Sequence, residues 1–263
     1  MYATNYFESA ILNLMRGTAI TAPTTMYLAL FQSDPTDSGT AGTEADYSGT
    51  TSNYARVPIT FSEPYAQSSG SSNYVLENAA DISFAEASAS GNVITHVAVM
   101  DAARGGNMLL YGPLDSNLTI QSGVTPTFRA GNLQWIWQGN ISAYYKQAVM
   151  NVLRGSNCGG FTPYIGLCDA NGNEFNGTNY ARFALAMTEP TQNPTTNVCY
   201  STNTEQVTSP ISGNDWGAVQ IVKMFNAQIG GQEFSSVNLG NSYNITVGSL
   251  FGFHAGDYVV NIN

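Results

Sequence analysis

Positive charge is what this sequence has least of. Its 263 residues include two lysines, Lys146 and Lys223, and six arginines, against eighteen acidic side chains, for a net charge of −10. A protein that neutralises phosphates needs a basic face, so nucleic acid is not an expected partner, and neither is an anionic membrane surface. No apolar run approaches the roughly 20 residues of a membrane-spanning helix. The opening MYATNYFESA has neither the basic start nor the apolar core of a signal peptide.

Cysteine and histidine are scarce too. Cys158, Cys168 and Cys199 are odd in number, lie in the second half and show no CxxC spacing. Cys158 and Cys168 are placed to face each other across a turn, but reduced, buried thiols are the preferred reading. The two histidines are His96 and His254. Acid–base or nucleophilic chemistry usually needs a histidine or a carboxylate pair in a pocket, and no GxSxG, HExxH, Walker or dinucleotide pattern is present. No catalytic residue, cofactor or metal is therefore assigned, and an enzyme is not expected.

What the chain does have is an internal repeat. SNYARVPITFSEP (52–64) returns as TNYARFALAMTEP (178–190), and YFESAILNLMRG (6–17) as YYKQAVMNVLRG (144–155). TMYLALFQ (25–32) faces TPYIGLCD (162–169), MDAARGGN (100–107) faces FNAQIGGQ (225–232), and FRAGNLQWI (128–136) faces FHAGDYVVN (253–261). The order is the same in both halves. A period near half the chain suits two small domains, 1–138 and 139–263, with the Gly139-Asn140 turn as their junction.

Each half opens on a helix, expected from the one-sided stripe Phe7, Ala10, Ile11, Leu14, Met15 and its repeat Tyr145, Ala148, Val149, Val152, Leu153. Asn5 with Glu8 resembles a capping box, and Gly17 and Gly155 suit left-handed stops. The rest reads as short strands over 26–31, 55–61, 94–101, 108–114 and 133–138, with Gly105-Gly106 as a hairpin turn. Segments 33–53 and 65–80 read as surface loops. The fold class is mainly β: two homologous antiparallel β-sandwich, jelly-roll-like domains, each preceded by a short helix.

These residues resemble a family of short virion proteins from tailed bacteriophages, usually called tail-fibre-like proteins. The resemblance rests on YLALFQSDPTDSGTAGTE (27–44), NYARVPITF (53–61), VITHVAVMDAARGGNMLLYGPL (93–114) and AGNLQWIW (130–137). In the second half the loop shrinks to DANGNEFNG (169–177), and Thr95-His96 becomes Gln220-Ile221. The resemblance implies a non-enzymatic virion component, assembled in the host bacterium, whose partners are other virion structural proteins. A homo-oligomer is expected, a trimer or another ring-compatible state. Capsid decoration and recognition of a host surface glycan are the alternatives.

Several residues merit a place on the site map. Arg56 and Arg182, each in an Asn-Tyr-Ala-Arg run, read as planar donors that clamp carboxylates or carbonyls within a domain or across a subunit contact. Trp135 and Trp137 share one face of the last strand of the first repeat, a pair suited to core or subunit packing more than to stacking sugars. Tyr54, Arg56, Trp135, Trp137, Tyr180 and Arg182 are accordingly the expected assembly residues. The acidic loop with Asp34, Asp37, Glu44 and Asp46 has oxygen ligands of the kind Ca²⁺ prefers, as does Asp169-x-Asn171-x-Asn173. A solvated acidic loop and an Asn-Gly turn are the preferred readings.

Overall fold

The computed structural model describes residues 1–46 and 53–262, so part of the expected loop 33–53 lies outside the described residues. The first half runs β1 (Tyr2–Ala3), α1 (Asn5–Asn13), β2 (Met26–Phe31), β3 (Val57–Ile59), β4 (Tyr65–Ala66) and β5 (Tyr74–Glu77). It continues with β6 (Ile82–Ser83), β7 (Val93–Met100), β8 (Met108–Thr119), β9 (Thr127–Phe128) and β10 (Gln134–Trp137). The second half follows with α2 (Ala143–Met150), β11 (Tyr164–Cys168), β12 (Phe183–Ala184), β13 (Thr191–Gln192), β14 (Cys199–Thr202) and β15 (Val207–Thr208). It closes with β16 (Gly217–Phe225), β17 (Glu233–Ile245), β18 (Gly252–Phe253) and β19 (Val259–Ile262).

The protein is mainly β, and its two halves repeat the same antiparallel plan. A large sheet in the order β1-β8-β7-β2-β3 answers to one in the order β17-β16-β11-β12. A small sheet β10-β5-β4 answers to β19-β14-β13, and the pair β6-β9 answers to β15-β18. The expected strand 26–31 is β2, and the Gly105-Gly106 turn does join β7 to β8. Segment 65–80 is not a plain loop. It contains β4 and β5, and Leu76 of β5 is buried opposite Trp135. Four strand residues among Ser, Gly and Asn give too short a signal to stand out.

The helices hold the main surprise. The first, α1, begins one residue earlier than a capping box at Asn5 implies. Thr4 is the N-cap of α1, accepting from Phe7 N and donating to Met108 O, and Ser142 caps α2 in the same way through Tyr145 N and Glu233 O. Each helix tightens into a 3-10 turn and stops at a left-handed glycine, Gly17 at φ 82° and Gly155 at φ 91°. A one-sided stripe predicts one buried face. Instead α1 also buries Glu8 and Leu12. The reason is its position: α1 packs on β8 of its own half and on β14 and β19 of the other, while α2 packs on β17 and on β5 of the first half. Each helix therefore lies between its own large sheet and the opposite half's small sheet, and one apolar core runs through both halves.

The junction is two-fold in character. Ile20 and Cys158, equivalent in the repeat, form an antiparallel bridge with each other. Arg16 reaches Glu189 at 3.1 Å, and the equivalent Arg154 reaches Glu63, equivalent to Glu189, at 3.7 Å. The arginine that ends each helix thus meets the Glu-Pro of the other repeat. These pairs are largely exposed and orient the halves more than they stabilise them.

Candidate functional site

The Asn-Tyr-Ala-Arg runs lead to a three-residue clamp built twice. After β2 the chain makes its long excursion and comes back to bridge Phe31 at Glu44. There Glu44 takes a bidentate fork from Arg56, Nε to Oε1 and Nη2 to Oε2, both at 2.8 Å. The Tyr54 hydroxyl donates to Glu44 Oε1 at 3.0 Å and accepts from Leu30 N at 2.9 Å. Arg56 Nη1 completes the set by donating to Ala102 O at 2.9 Å and Gly105 O at 2.6 Å. One guanidinium thus ties the end of the long loop to the β7–β8 turn.

The second half repeats this atom for atom with a far shorter loop. Glu174, which bridges Cys168, accepts from Arg182 Nε at 2.8 Å, Arg182 Nη2 at 2.7 Å and Tyr180 OH at 2.9 Å. Leu167 N donates to Tyr180 OH at 2.9 Å, and Arg182 Nη1 donates to Ala227 O and Gly230 O. Arg182 also stacks 3.3 Å over the Phe225 ring, where the first half has Met100. The gripped turns need glycine: Gly106 and Gly231 have φ of 74° and 73°, and a Cβ there would strike Asp101 and Asn226 side chains.

Burial raises the pKa of both tyrosines. It works against ionisation of Glu174 as well, but the bonds from Arg182 and Tyr180 outweigh it and hold that carboxyl below its usual range. Glu174 carried no signal in the sequence beyond one regularity: Gly-Thr-Glu and Gly-Asn-Glu both precede Tyr-Ala-Arg, at different distances.

Trp135 and Trp137 stack on each other at 5.3 Å and are 3 % and 2 % exposed, with Trp135 against Phe7 of α1. Neither ring offers a face to a sugar. Beside them the last strands of the two repeats flank a groove of about 530 Å³, lined by Trp137, Ile141, Val260 and Ile262 among others. The clamps and the tryptophan pair thus lie within the scaffold of the chain itself.

Residues 2–136, and again residues 140–261, match the family described as podophage GP4 fiber I protein gp80. The chain belongs to this family. No curated protein sequence matches it. This member of the fibre family is a phage structural component carrying the family unit twice in tandem.

The other candidate positions of this fibre protein fall apart in space. His96 Nδ1 is 2.8 Å from Thr95 Oγ1, and its Nε2 is 3.9 Å from Asp34. Asp34 Oδ1 accepts from Thr36 N and closes a local turn. Asp46 N donates to Asn92 Oδ1 at 3.2 Å, and Asp46 Oδ1 accepts from Asn92 Nδ2 at 3.3 Å. Asp169 accepts from the backbone N of Asn171 and Asn173 and from Asn173 Nδ2, bonds that hold its carboxyl below the usual range and make an Asn-Gly turn of the segment. Among the described residues no three His, Cys, Asp or Glu side chains converge as metal ligands, and no helix is long and apolar enough to cross a membrane. All three cysteines are free and buried.

Asp37 is the exception in the acidic loop. It faces the junction, accepting from Gln192 Nε2 of the second half at 3.1 Å, and its backbone carbonyl accepts from Asn5 N. Glu8 lies beside it, 2 % exposed; burial pushes its carboxyl up to about 8, with the Asp37 charge adding to the effect. Sequence reasoning treated Glu8 only as part of a capping box and missed this pair.

Proposed function

We propose that this protein is a non-enzymatic fibre component of the virion that works through protein–protein assembly contacts with other virion structural proteins. The observation that carries the reading is the duplicated clamp. Its two arginines, tyrosines and glutamates are engaged in holding loops to turns, which is the behaviour of a scaffold and not of a reactive site. In this reading the two domains, 1–138 and 139–263, make one rigid body. Tyr54, Arg56, Tyr180, Arg182, Trp135 and Trp137 then serve assembly by fixing the loops and the junction that neighbours meet. A chain with internal pseudo-two-fold character also suits a trimer that imitates a six-fold ring.

Copy number per particle, measured by quantitative mass spectrometry against the major capsid protein, tests this. A handful of copies in a multiple of three or six is expected. Hundreds of copies would replace the fibre role by capsid decoration, and absence from particles would end the structural reading. Host-surface glycan binding by the long loops is the remaining alternative, and it requires measurable adsorption of the purified protein to host cells.

A further inference from the structure

The small sheets of the two halves each end on a bare edge, and both edges border the groove of about 530 Å³ beside the tryptophans. β10 is the outer strand beyond β5, and β19 is the outer strand beyond β14. Along an antiparallel ladder the direction of hydrogen bonding alternates from residue to residue. Leu133 turns both backbone groups inward to Asn78, and Tyr258 turns both inward to Asn203. Counting on from them, Ile136, Val259 and Asn261 turn their N–H and C=O groups outward, away from β5 and β14. The Gln134 carbonyl on the same side of β10 accepts from the Met1 ammonium at 2.7 Å. Among the described residues the outward groups of Ile136, Val259 and Asn261 have no such partner.

Exposed edges are normally blunted by proline, charge or a bulge. β3, the outer strand of the first large sheet, carries Pro58. Neither Gln134–Trp137 nor Val259–Ile262 contains a proline or a charge. No residue lining the groove is charged either, in a chain of net charge −10. Trp137, Ile141, Val260 and Ile262 bring buried core side chains to its floor, while Ile136 and Val259 line it and stay 36 % and 46 % exposed. That floor belongs to the apolar core that joins the two halves, so the groove continues the junction outward to solvent.

We propose that the groove receives one extended segment of another virion protein, which adds to the edge of β19 as a further strand. The proposal rests on the reading of this protein as a virion component and names where a partner is held. Strand rise, strand spacing and sheet spacing give about 160 Å³ per strand residue, so the groove takes about three to four residues, the length of β19. Main-chain bonds to Val259 and Asn261 hold the segment, and alternate apolar side chains fill the floor. Because the groove is uncharged and the chain acidic, the inserted residues are apolar and without carboxylates. A helix has no spare backbone groups for these edges. A second copy of this chain is disfavoured as the occupant, since a contact this short falls far below the roughly 800 Å² per partner of a stable dimer and net charge opposes a wider one.

The test is photo-crosslinking in assembled particles, with Val259→benzoylphenylalanine in the groove and Ile229→benzoylphenylalanine, 90 % exposed on the β16–β17 turn, as control. Mass spectrometry is expected to find the Val259 cross-link, and not the control's, on one segment of a different virion protein with alternating apolar residues. Val259→Pro removes an outward N–H and leaves the ladder to β14 in place, so its unfolding midpoint should stay within a few degrees of wild type. Its incorporation into particles should fall by about tenfold or more, while Val259→Thr, which keeps the N–H and the branched shape, should incorporate normally. If the proline variant folds poorly, Val259→Asp, which puts a charge in the groove, carries the same expectation. Cross-links to a second copy, no cross-link in particles that contain the chain, or a folded Val259→Pro or Val259→Asp that incorporates like wild type would each overturn the proposal. Absence of the wild-type chain from particles would instead end the virion reading, and this proposal with it.

Discussion

Ile20 and Cys158 hydrogen-bond to each other through both backbone groups, Ile20 N to Cys158 O at 2.8 Å and Cys158 N to Ile20 O at 3.0 Å. Because they are the same residue of the two repeats, this pairing places them on the approximate two-fold that relates the halves. An isologous contact of this kind is what joins two subunits of a symmetric dimer. Here it joins two halves of one chain, with a helix from each packed on the small sheet of the other.

That packing predicts one folding unit, since neither half can bury its own helix and small sheet without the other. Calorimetry should record a single transition whose van't Hoff and calorimetric enthalpies agree. Two resolved transitions would mean that the halves are stable apart and that the helix exchange adds little.

The clamp arginines offer a sharper test. Arg56→Ala leaves Glu44 without its fork and the carbonyls of Ala102 and Gly105 without a donor, so a loss of about 2–4 kcal/mol is expected. Arg182→Ala should cost a similar amount. Arg56→Lys keeps the charge but not the planar fork and should recover only a minor part. Urea denaturation measures all three. Variants as stable as wild type, yet defective in assembly into particles, would move these arginines from the scaffold to a subunit contact.

Much of this was legible in the sequence, and the failures have physical causes. The repeat, β2, the β7–β8 hairpin and the glycine stops rest on local patterns that tertiary context does not override. Glu174 was hidden because a glutamate returns to the same bridge from loops of different length, so no fixed spacing marks it. The helix exchange was illegible for another reason. A duplicated sequence has the same periodicities whether each helix packs at home or across the junction. Glu8, a buried acid on a helix that reads as one-sided, was the trace that the exchange left behind, and the capping-box pattern gave it an innocent explanation.

Acid should act through Glu174. Its folded-state pKa lies below the unfolded value, so the clamp contributes stability that is present above about pH 4.5 and is lost as pH falls through the folded value. Glu174→Gln removes that dependence: its stability should be lower than wild type at pH 7 and approach it towards pH 3. Urea midpoints from pH 7 to pH 3 make the comparison. Parallel curves would show that the second clamp does not titrate with folding.

The tryptophan pair separates scaffold from sugar binding. Trp135 stacks on Trp137 and meets Phe7 at a tilt, with almost no exposed surface, so Trp135→Ala opens a core cavity and should cost about 3–5 kcal/mol. Trp135→Phe retains most of the apolar contact and should cost well under half of that. If host-cell adsorption exists, it should be unchanged in Trp135→Phe at temperatures where the variant is folded, because a buried ring cannot stack on a saccharide. Adsorption that falls in the folded Phe variant would require the rings to be reachable from solvent. It would then favour a receptor-binding role over a purely architectural one.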